Sequence, residues 1–386
     1  MACTEIWIYS VAVGQGQMNM AELVDTSTEE PEYLGVYLFD CGGGRGTVRE
    51  QKELISTVLG RNGNQFKAAF FSHTDSDHAN LMSEFKSYFE HCPVYLSCAE
   101  NSANTYLIGK LNEMGIAGIY LSGTHLATEE QPQMQYLLED NGVIIRVLLA
   151  AARGGANDAS AIVCMEIGDT IAIFTGDATA QTFGEAVRII ESMEENQQYF
   201  EKKRCHYVAI PHHGSYTTAT ASDPAMQNLI NFGSYITARS GVCSYARHVG
   251  WQHGNIQVIR ACCNFLIRGD IHTVYITRNS TVPEYQITDE AYFTNQSKYQ
   301  GAVIKVSYKH RIYDARGFAV GCVLPNENIT KTVDILTMTN EEDARSQPWT
   351  WNEGLQSDTG WNRIRQAEVL GRRRIGKRKI AAMAYT

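Results

Sequence analysis

Within six residues, His73-Thr74-Asp75-Ser76-Asp77-His78, the chain sets four side chains able to ligate a metal ion. Residues that share a helix face recur at three- and four-residue intervals. The spacing i, i+2, i+4, i+5 here does not fit that pattern; it fits a short turn wrapped about a point. Ala68-Ala69-Phe70-Phe71 runs directly before it and reads as a buried strand. Asn80-Leu81-Met82-Ser83-Glu84-Phe85 follows and reads as the start of a helix. Ligands on the loop leaving the carboxyl end of a strand are where open α/β sheets place their chemistry. The competing reading is a solvated polar turn with two unrelated histidines.

The rest of the sequence supplies strands to build around this turn. Strand candidates are Ile6–Val13, Met18–Val24, Val36–Asp40, Val94–Leu96, Ile119–Leu121, Val143–Leu149, Ala161–Glu166, Thr170–Thr175, Tyr207–Ile210, Val274–Thr277, Gly301–Tyr308 and Arg311–Asp314. Helix candidates are Val48–Leu59, Asn104–Met114 and Thr182–Glu194. Strands alternating with helices indicate an α/β sandwich of mixed sheets. The chain has 386 residues, 44% of them hydrophobic, enough for a sizeable core. A net charge of −9 argues against a protein that binds nucleic acid over its whole surface, while leaving room for a local basic patch.

Ten cysteines are scattered without a Cys-x-x-Cys pair and read as reduced core thiols. Met1–Glu5 carry no basic, apolar leader, and no run of 18 apolar residues exists. A cytoplasmic protein with no membrane segment is the expectation.

Three further motifs carry chemistry. Asn157-Asp158-Ala159-Ser160 precedes a strand; Gly176-Asp177 ends one and presents a carboxylate with little steric cover. Asp177 could equally be a turn residue capping the helix that follows. Pro211-His212-His213-Gly214-Ser215 sets two adjacent histidines at the end of an apolar strand. Earlier in the chain, Asp40 leads into Gly42-Gly43-Gly44. The glycines lack the spacing of a phosphate loop, and Asp40 reads either as a partner holding a ligand histidine or as a strand-end cap.

Taken in order, these motifs resemble the metallo-β-lactamase superfamily, and within it the hydrolase domain of ComEC-type DNA-uptake channels. The matching stretches are Val13–Gln17 (with Gln17 where the family has aspartate), Asp40–Gly42, His73–His78, Asn157–Ser160, Thr175–Asp177 and Pro211–Ser215, with a looser match at Tyr245–His248. The resemblance covers residues 5–250 and extends toward 320. It implies an αββα sandwich of two mixed sheets flanked by helices, with a binuclear metal centre. His73 and Asp75 would hold one ion, and Asp77 and His78 the other. Asp177 would bridge them, and His212 would complete the ligand set of the second ion. Asp158, or Asn157, stands where other members have a histidine ligand. Asp77 would also orient the attacking hydroxide, and His213 and His248 would serve as proton donors to the leaving group. An oxygen-rich ligand set suits Mn²⁺ as well as Zn²⁺.

Two such ions, about 3.5–4 Å apart, can share a hydroxide and neutralise charge on a phosphorus centre. The implied activity is phosphodiester hydrolysis, with DNA as substrate, in DNA processing or defence. The alternatives are a binuclear hydrolase of a small molecule (a cyclic nucleotide, phosphoester or acyl ester), an effector inactive without its partner, and a binding module that does not catalyse.

A division into 1–320, the hydrolase domain, and 321–386, a C-terminal extension, is expected. The extension holds Trp349, Trp351 and Trp361, a helix candidate Trp361–Leu370, and the basic run Arg372–Lys379. Residues 345–386 are candidates for docking a partner protein or nucleic acid; a solvated tail is the plainer alternative. Lys305, Lys309, Arg311 and Tyr313 could line a nucleic-acid path or belong to an ordinary amphipathic edge strand.

Overall fold

The computed structural model describes residues 3–11, 13, 16–43, 52, 55–97, 105–121, 134–149, 155–215 and 223–236, with the backbone of strands at 240–244, 273–277, 301–307, 319–323 and 332–334. The loop with Tyr245 and His248, the strand candidate Arg311–Asp314, and the tryptophans and basic run of the extension lie outside the described residues.

Strict alternation along the strands builds two sheets and three apolar layers. In β1 (Glu5–Val11), Ile6 and Ile8 enter one core, and Tyr9 and Val11 the other. β3 (Glu32–Cys41) divides Tyr37 and Phe39 from Val36 and Leu38 in the same way; β4 (Ala68–Phe71) divides Ala68 and Phe70 from Ala69 and Phe71. A strand apolar on both faces must be covered on both.

One face of the nine-stranded sheet therefore packs against the seven-stranded sheet. The other takes Val58 and Leu59, Phe85 and Phe89, and Leu107 and Leu111 from the helical segments. Phe39 and Phe174 stack across the sheet–sheet interface with ring centroids 3.7 Å apart. On the outer side of the second sheet, α3 (Ala180–Ser192) lies against β8 (Val143–Leu149) and joins the helix Asp223–Ile236 through Phe183 and Phe232. The result is the expected sandwich of two mixed sheets between helices.

Topology then gathers the motif loops. β3, β4, β5 (Val94–Leu96) and β6 (Gly118–Tyr120) run parallel in the first sheet. β10 (Thr170–Phe174) and β11 (Arg204–Ala209) run parallel in the second. Asp40, His73–His78, Asp177 and His212–His213 all lie at or just past the carboxyl ends of such strands.

The first sheet continues through β14 (Gly301–Ser307), β15 (Ala319–Val323) and β16 (Thr332–Asp334), with β14 paired to β1. Residue 320 thus falls inside a strand of that sheet. Among the described residues no helix is long and apolar enough to cross a membrane. Cys3, Cys41, Cys92, Cys164 and Cys205 are buried and form no disulfide; burial pushes the thiols of Cys3, Cys92 and Cys164 up to about 12, as suits inert core residues.

The expected helix after the ligand cluster takes a different form. Ser76–His78 and Met82–Phe89 are 3₁₀ turns, the second broken at Phe85. Tertiary bonds pin the start of this segment: Gly43 N–H donates to Asn80 Oδ1, and Leu81 N–H to Cys41 O. A segment fixed at that many points cannot settle into one regular helix. Several elements lie outside the strand and helix candidates read from sequence: β7 (Gln135–Asp140), α4 (Glu194–Lys202), the helix Asp223–Ile236, the strand Ser240–Ser244, and β15 and β16.

Candidate metal centre

The centre is built from three loops pressed close together by glycines. A Cβ on Gly42 would sit 1.9 Å from the Asp77 carbonyl oxygen, and one on Gly16 2.5 Å from it. Gln17 N–H donates to that same oxygen. The glycine-rich turn after β3 therefore lets backbone approach the ligand loop. Gly176, at φ 53°, lets its own loop lie against Ser72; a Cβ there would fall 2.2 Å from Ser72 Cβ. His212 N–H donates to Gly176 O, and Thr175 Oγ1 to Ala209 O, tying the Asp177 loop to the His212–His213 loop.

The tandem histidines sit on a strained turn. His212 and His213 have φ of 46° and 52°, left-handed values that cost non-glycine residues about 1–3 kcal/mol each. The neighbouring bonds hold that conformation, and it sets the two rings beside different oxygens of Asp177, His212 by Oδ2 and His213 by Oδ1.

Asp177 is the centre of the site, its side chain almost wholly buried. Its Oδ1 lies 2.9 Å from His78 Nε2 and 3.5 Å from His213 Nε2. Its Oδ2 lies 3.6 Å from His212 Nε2 and 3.9 Å from His73 Nε2. His213 Nε2 also approaches Asp77 Oδ2 at 3.5 Å, and His73 Nε2 approaches Asp75 Oδ2 at 3.7 Å. Ligand atoms of Asp77, His78, Asp177 and His213 all lie within 4.8 Å of one another.

The sequence placed His212 with Asp77 and His78, and gave His213 a proton-donor role. In the structure His213 belongs to the Asp77–His78 group, and His212 faces the His73 side. Asp158 lies outside that group. Its carboxylate accepts from Gly155 N–H and Thr179 Oγ1, which anchors its loop to the start of α3. Asn157 is the member of that pair turned toward the centre, with Nδ2 3.4 Å from His212 Nε2. Thr179, not Asp177, caps α3, accepting from Thr182 N–H, so the Asp177 carboxylate is left to the centre.

Three atoms test whether these residues fit a cation. His73 Nε2, His78 Nε2 and Asp177 Oδ1 are buried with no hydrogen-bond partner; the 2.9 Å approach of the last two does not meet hydrogen-bond geometry. In folded proteins the large majority of buried polar side-chain atoms have a partner. Imidazole nitrogens and carboxylate oxygens converging unsatisfied make a donor set that fits a divalent metal ion.

The electrostatics agree. Burial alone would raise the Asp177 carboxyl, but His78, His213 and His212 outweigh it and hold it well below the usual range. Burial would lower His78, yet Asp177 and Asp40 raise it well above its ordinary value. For His73, burial and the neighbouring His78 win, bringing it down to about 4. Asp75, at the outer edge, is raised by burial and by Asp77 and Asp177. The negative charge of Asp177, faced by histidines in a buried place, suits a site for cations.

Behind the centre, His78 Nδ1 hydrogen-bonds Asp40 Oδ2 at 2.9 Å, the partner role read for Asp40 from sequence. Asp40 sits at φ 58°, a left-handed conformation that aspartate tolerates. Its other oxygen accepts Ser72 N–H at 2.8 Å. Ser72 itself is absent from the sequence-derived site. A serine between a strand and a histidine is an ordinary turn residue, and nothing in the sequence marks it.

No family model matches the sequence, and no curated protein matches it. Solved structures are similar at low identity. The metallo-β-lactamase fold protein YhfI from Bacillus subtilis is 11% identical with a TM-score of 0.41, over 72% of this chain and 97% of that one. A long form RNase Z from yeast is 10% identical with a TM-score of 0.41, over 71% of this chain and 41% of that one. A diphosphatase from the PhnP family is 10% identical with a TM-score of 0.36, over 62% and 87%.

Proposed function

We propose that the chain is a metal-dependent phosphodiesterase that holds two divalent ions, Zn²⁺ or Mn²⁺, and hydrolyses DNA. One observation carries the reading: the two oxygens of the buried Asp177 face separate histidine pairs. His73, His212 and Asp75 would hold one ion with Oδ2; His78, His213 and Asp77 would hold the other with Oδ1. Divalent ions held in this way acidify a water molecule and neutralise charge building on phosphorus.

The protein's own side chains set the direction of approach. His73, His78, His213 and Asp177 form a buried floor; Asp75 and Asp77, 47% and 30% exposed, and His212 form the open rim. Substrate would enter over that rim, where Asp77 can orient the attacking water. His213 lies in the floor, so the proton for the departing oxygen falls to His248. The order of motifs shared with ComEC-type hydrolase domains supports DNA as substrate. In this reading the Arg372–Lys379 run and residues 345–386 recruit nucleic acid or a partner protein, in the cytoplasm.

The test is metal-stripped protein reloaded with Zn²⁺ or Mn²⁺ and given single-stranded DNA, duplex DNA and a small phosphodiester. Cleavage of DNA is expected. Hydrolysis of the small ester alone replaces the reading with a small-molecule hydrolase. Metal uptake without any hydrolysis replaces it with a partner-dependent effector or a binding module.

A further inference from the structure

Ser72 is gripped from every side. Its N–H donates to Asp40, its carbonyl accepts from Ala161 N–H at 2.8 Å, and its side chain abuts Gly176 of the Asp177 loop. Its hydroxyl oxygen lies 3.0 and 2.9 Å from the two Asp40 oxygens, 3.0 Å from His73 Nδ1 and 3.4 Å from His78 Nδ1.

A hydroxyl has one hydrogen to donate, and a carboxylate offers only lone pairs. Were the Ser72 hydrogen given to His73, its oxygen lone pairs would face those of Asp40 with no hydrogen between them. The satisfied arrangement sends the Ser72 hydrogen to Asp40 and draws an N–H from His73 Nδ1 into the hydroxyl oxygen. His78 Nδ1 gives its own hydrogen to Asp40 directly. His73 then turns a bare Nε2 toward Asp177.

We propose that Ser72 is a positioning residue that relays the orienting effect of Asp40 to His73, holding it as the Nδ1–H tautomer with the Nε2 lone pair aimed into the centre. The inference rests on the metal-centre reading above and adds a residue to it. Which ring nitrogen of a ligating histidine carries hydrogen is set by the bond the other makes. Groups that orient ligating histidines contribute about ten- to a hundredfold in metal affinity. Gly176 leaves the room that the Ser72 side chain takes up between the two groups: a Cβ there would fall 2.2 Å from Ser72 Cβ and 2.3 Å from its hydroxyl oxygen.

The experiment uses full-length protein with ¹⁵N-labelled histidine, the His73 signal being assigned by its loss in His73→Gln. In metal-free wild type at pH 8, His73 is expected as the Nδ1–H form. In Ser72→Ala the Nδ1–H form gives way to a mixture of tautomers, and Zn²⁺ affinity falls about ten- to a hundredfold. Ser160→Ala is the matched control. Ser160 is also fully buried, its hydroxyl has no hydrogen-bond partner, and its loss should leave the His73 signal unchanged.

An Nε2–H form of His73 in wild type overturns the inference with no variant needed. So does a Ser72→Ala protein whose tautomer and Zn²⁺ affinity match wild type. Wild type that holds His73 as Nδ1–H but takes up neither Zn²⁺ nor Mn²⁺ overturns the metal-centre reading instead, so the two failures are separable.

Discussion

Glu22, in the middle of β2 (Met18–Asp25), and Asp177, just past the end of β10, are both carboxylates 3% exposed or less. Each oxygen of Glu22 accepts two hydrogen bonds. Oε1 takes Arg61 Nε and Asn62 Nδ2; Oε2 takes Arg61 Nη2 and Tyr9 Oη. Arg61 in turn lies over Tyr33, 4.2 Å from the ring centroid. Nothing about that carboxylate is left open. Asp177 has four histidine Nε2 atoms within 3.9 Å and yet no hydrogen bond at Oδ1. A charge closed on its own partners holds a fold together. A charge left open at one oxygen, beside the strained His212–His213 turn, is arranged for something added to it.

Substitution at each carboxylate should separate the two roles, and the largest effect belongs to Asp177. Asp177→Asn should drop hydrolysis to background and remove at least one bound ion, while the folded protein melts within a few degrees of wild type. Elemental analysis beside calorimetry reads both. Glu22→Gln should do the reverse. Removing one member of a buried pair costs about 3–5 kcal/mol, seen as a lower denaturant midpoint, while the molecules still folded bind metal as wild type does. If both substitutions lowered stability alike and spared metal binding, the contrast would collapse.

His213 and His212 sharpen it further. His213→Ala should release the ion of the Asp77–His78 group, and His212→Ala the ion on the His73 side. Loss of His213 that slowed turnover with both ions retained would restore the proton-donor role first read from sequence.

The smallest effect expected is at Glu166, another closed cluster. It accepts from Arg146 Nε and Tyr199 Oη and pairs with Lys203. Burial would raise its carboxyl, but bonds from Tyr199 and Lys203 and the charges of Lys203 and Arg146 bring it below the usual 4.5. A depressed carboxylate stabilises the fold above its unfolded value. That contribution is lost as pH falls from about 4.5 through the lower folded value. Glu166→Gln should therefore flatten that part of the acid limb by about 1 kcal/mol, the size of one ordinary hydrogen bond, in unfolding curves at pH 7 and below.

Patterns carried along a strand were legible in the sequence because burial writes them directly. The alternation at Tyr37-Leu38-Phe39 and the apolar run at Phe70-Phe71 led to the sheets, and the motifs at their ends led to the loops. What was hidden depends on direction rather than identity. Nothing in a His-His pair says that left-handed φ will part the rings. Nothing in Asn157-Asp158 says which side chain turns inward. The glycines at Gly42 and Gly176 are visible, but their partners, Asp77 O and Ser72, are distant in sequence. β7 and α4 escaped for another reason: both are short and rich in polar residues, so packing against the sandwich decides them more than periodicity does.

The central claim is that Asp177 joins two ion sites, and counting ions tests it most directly. Metal-stripped wild type titrated with Zn²⁺ or Mn²⁺ should take up two ions per chain, and Asp177→Asn fewer. Uptake of none by wild type, or of two by Asp177→Asn, would contradict it.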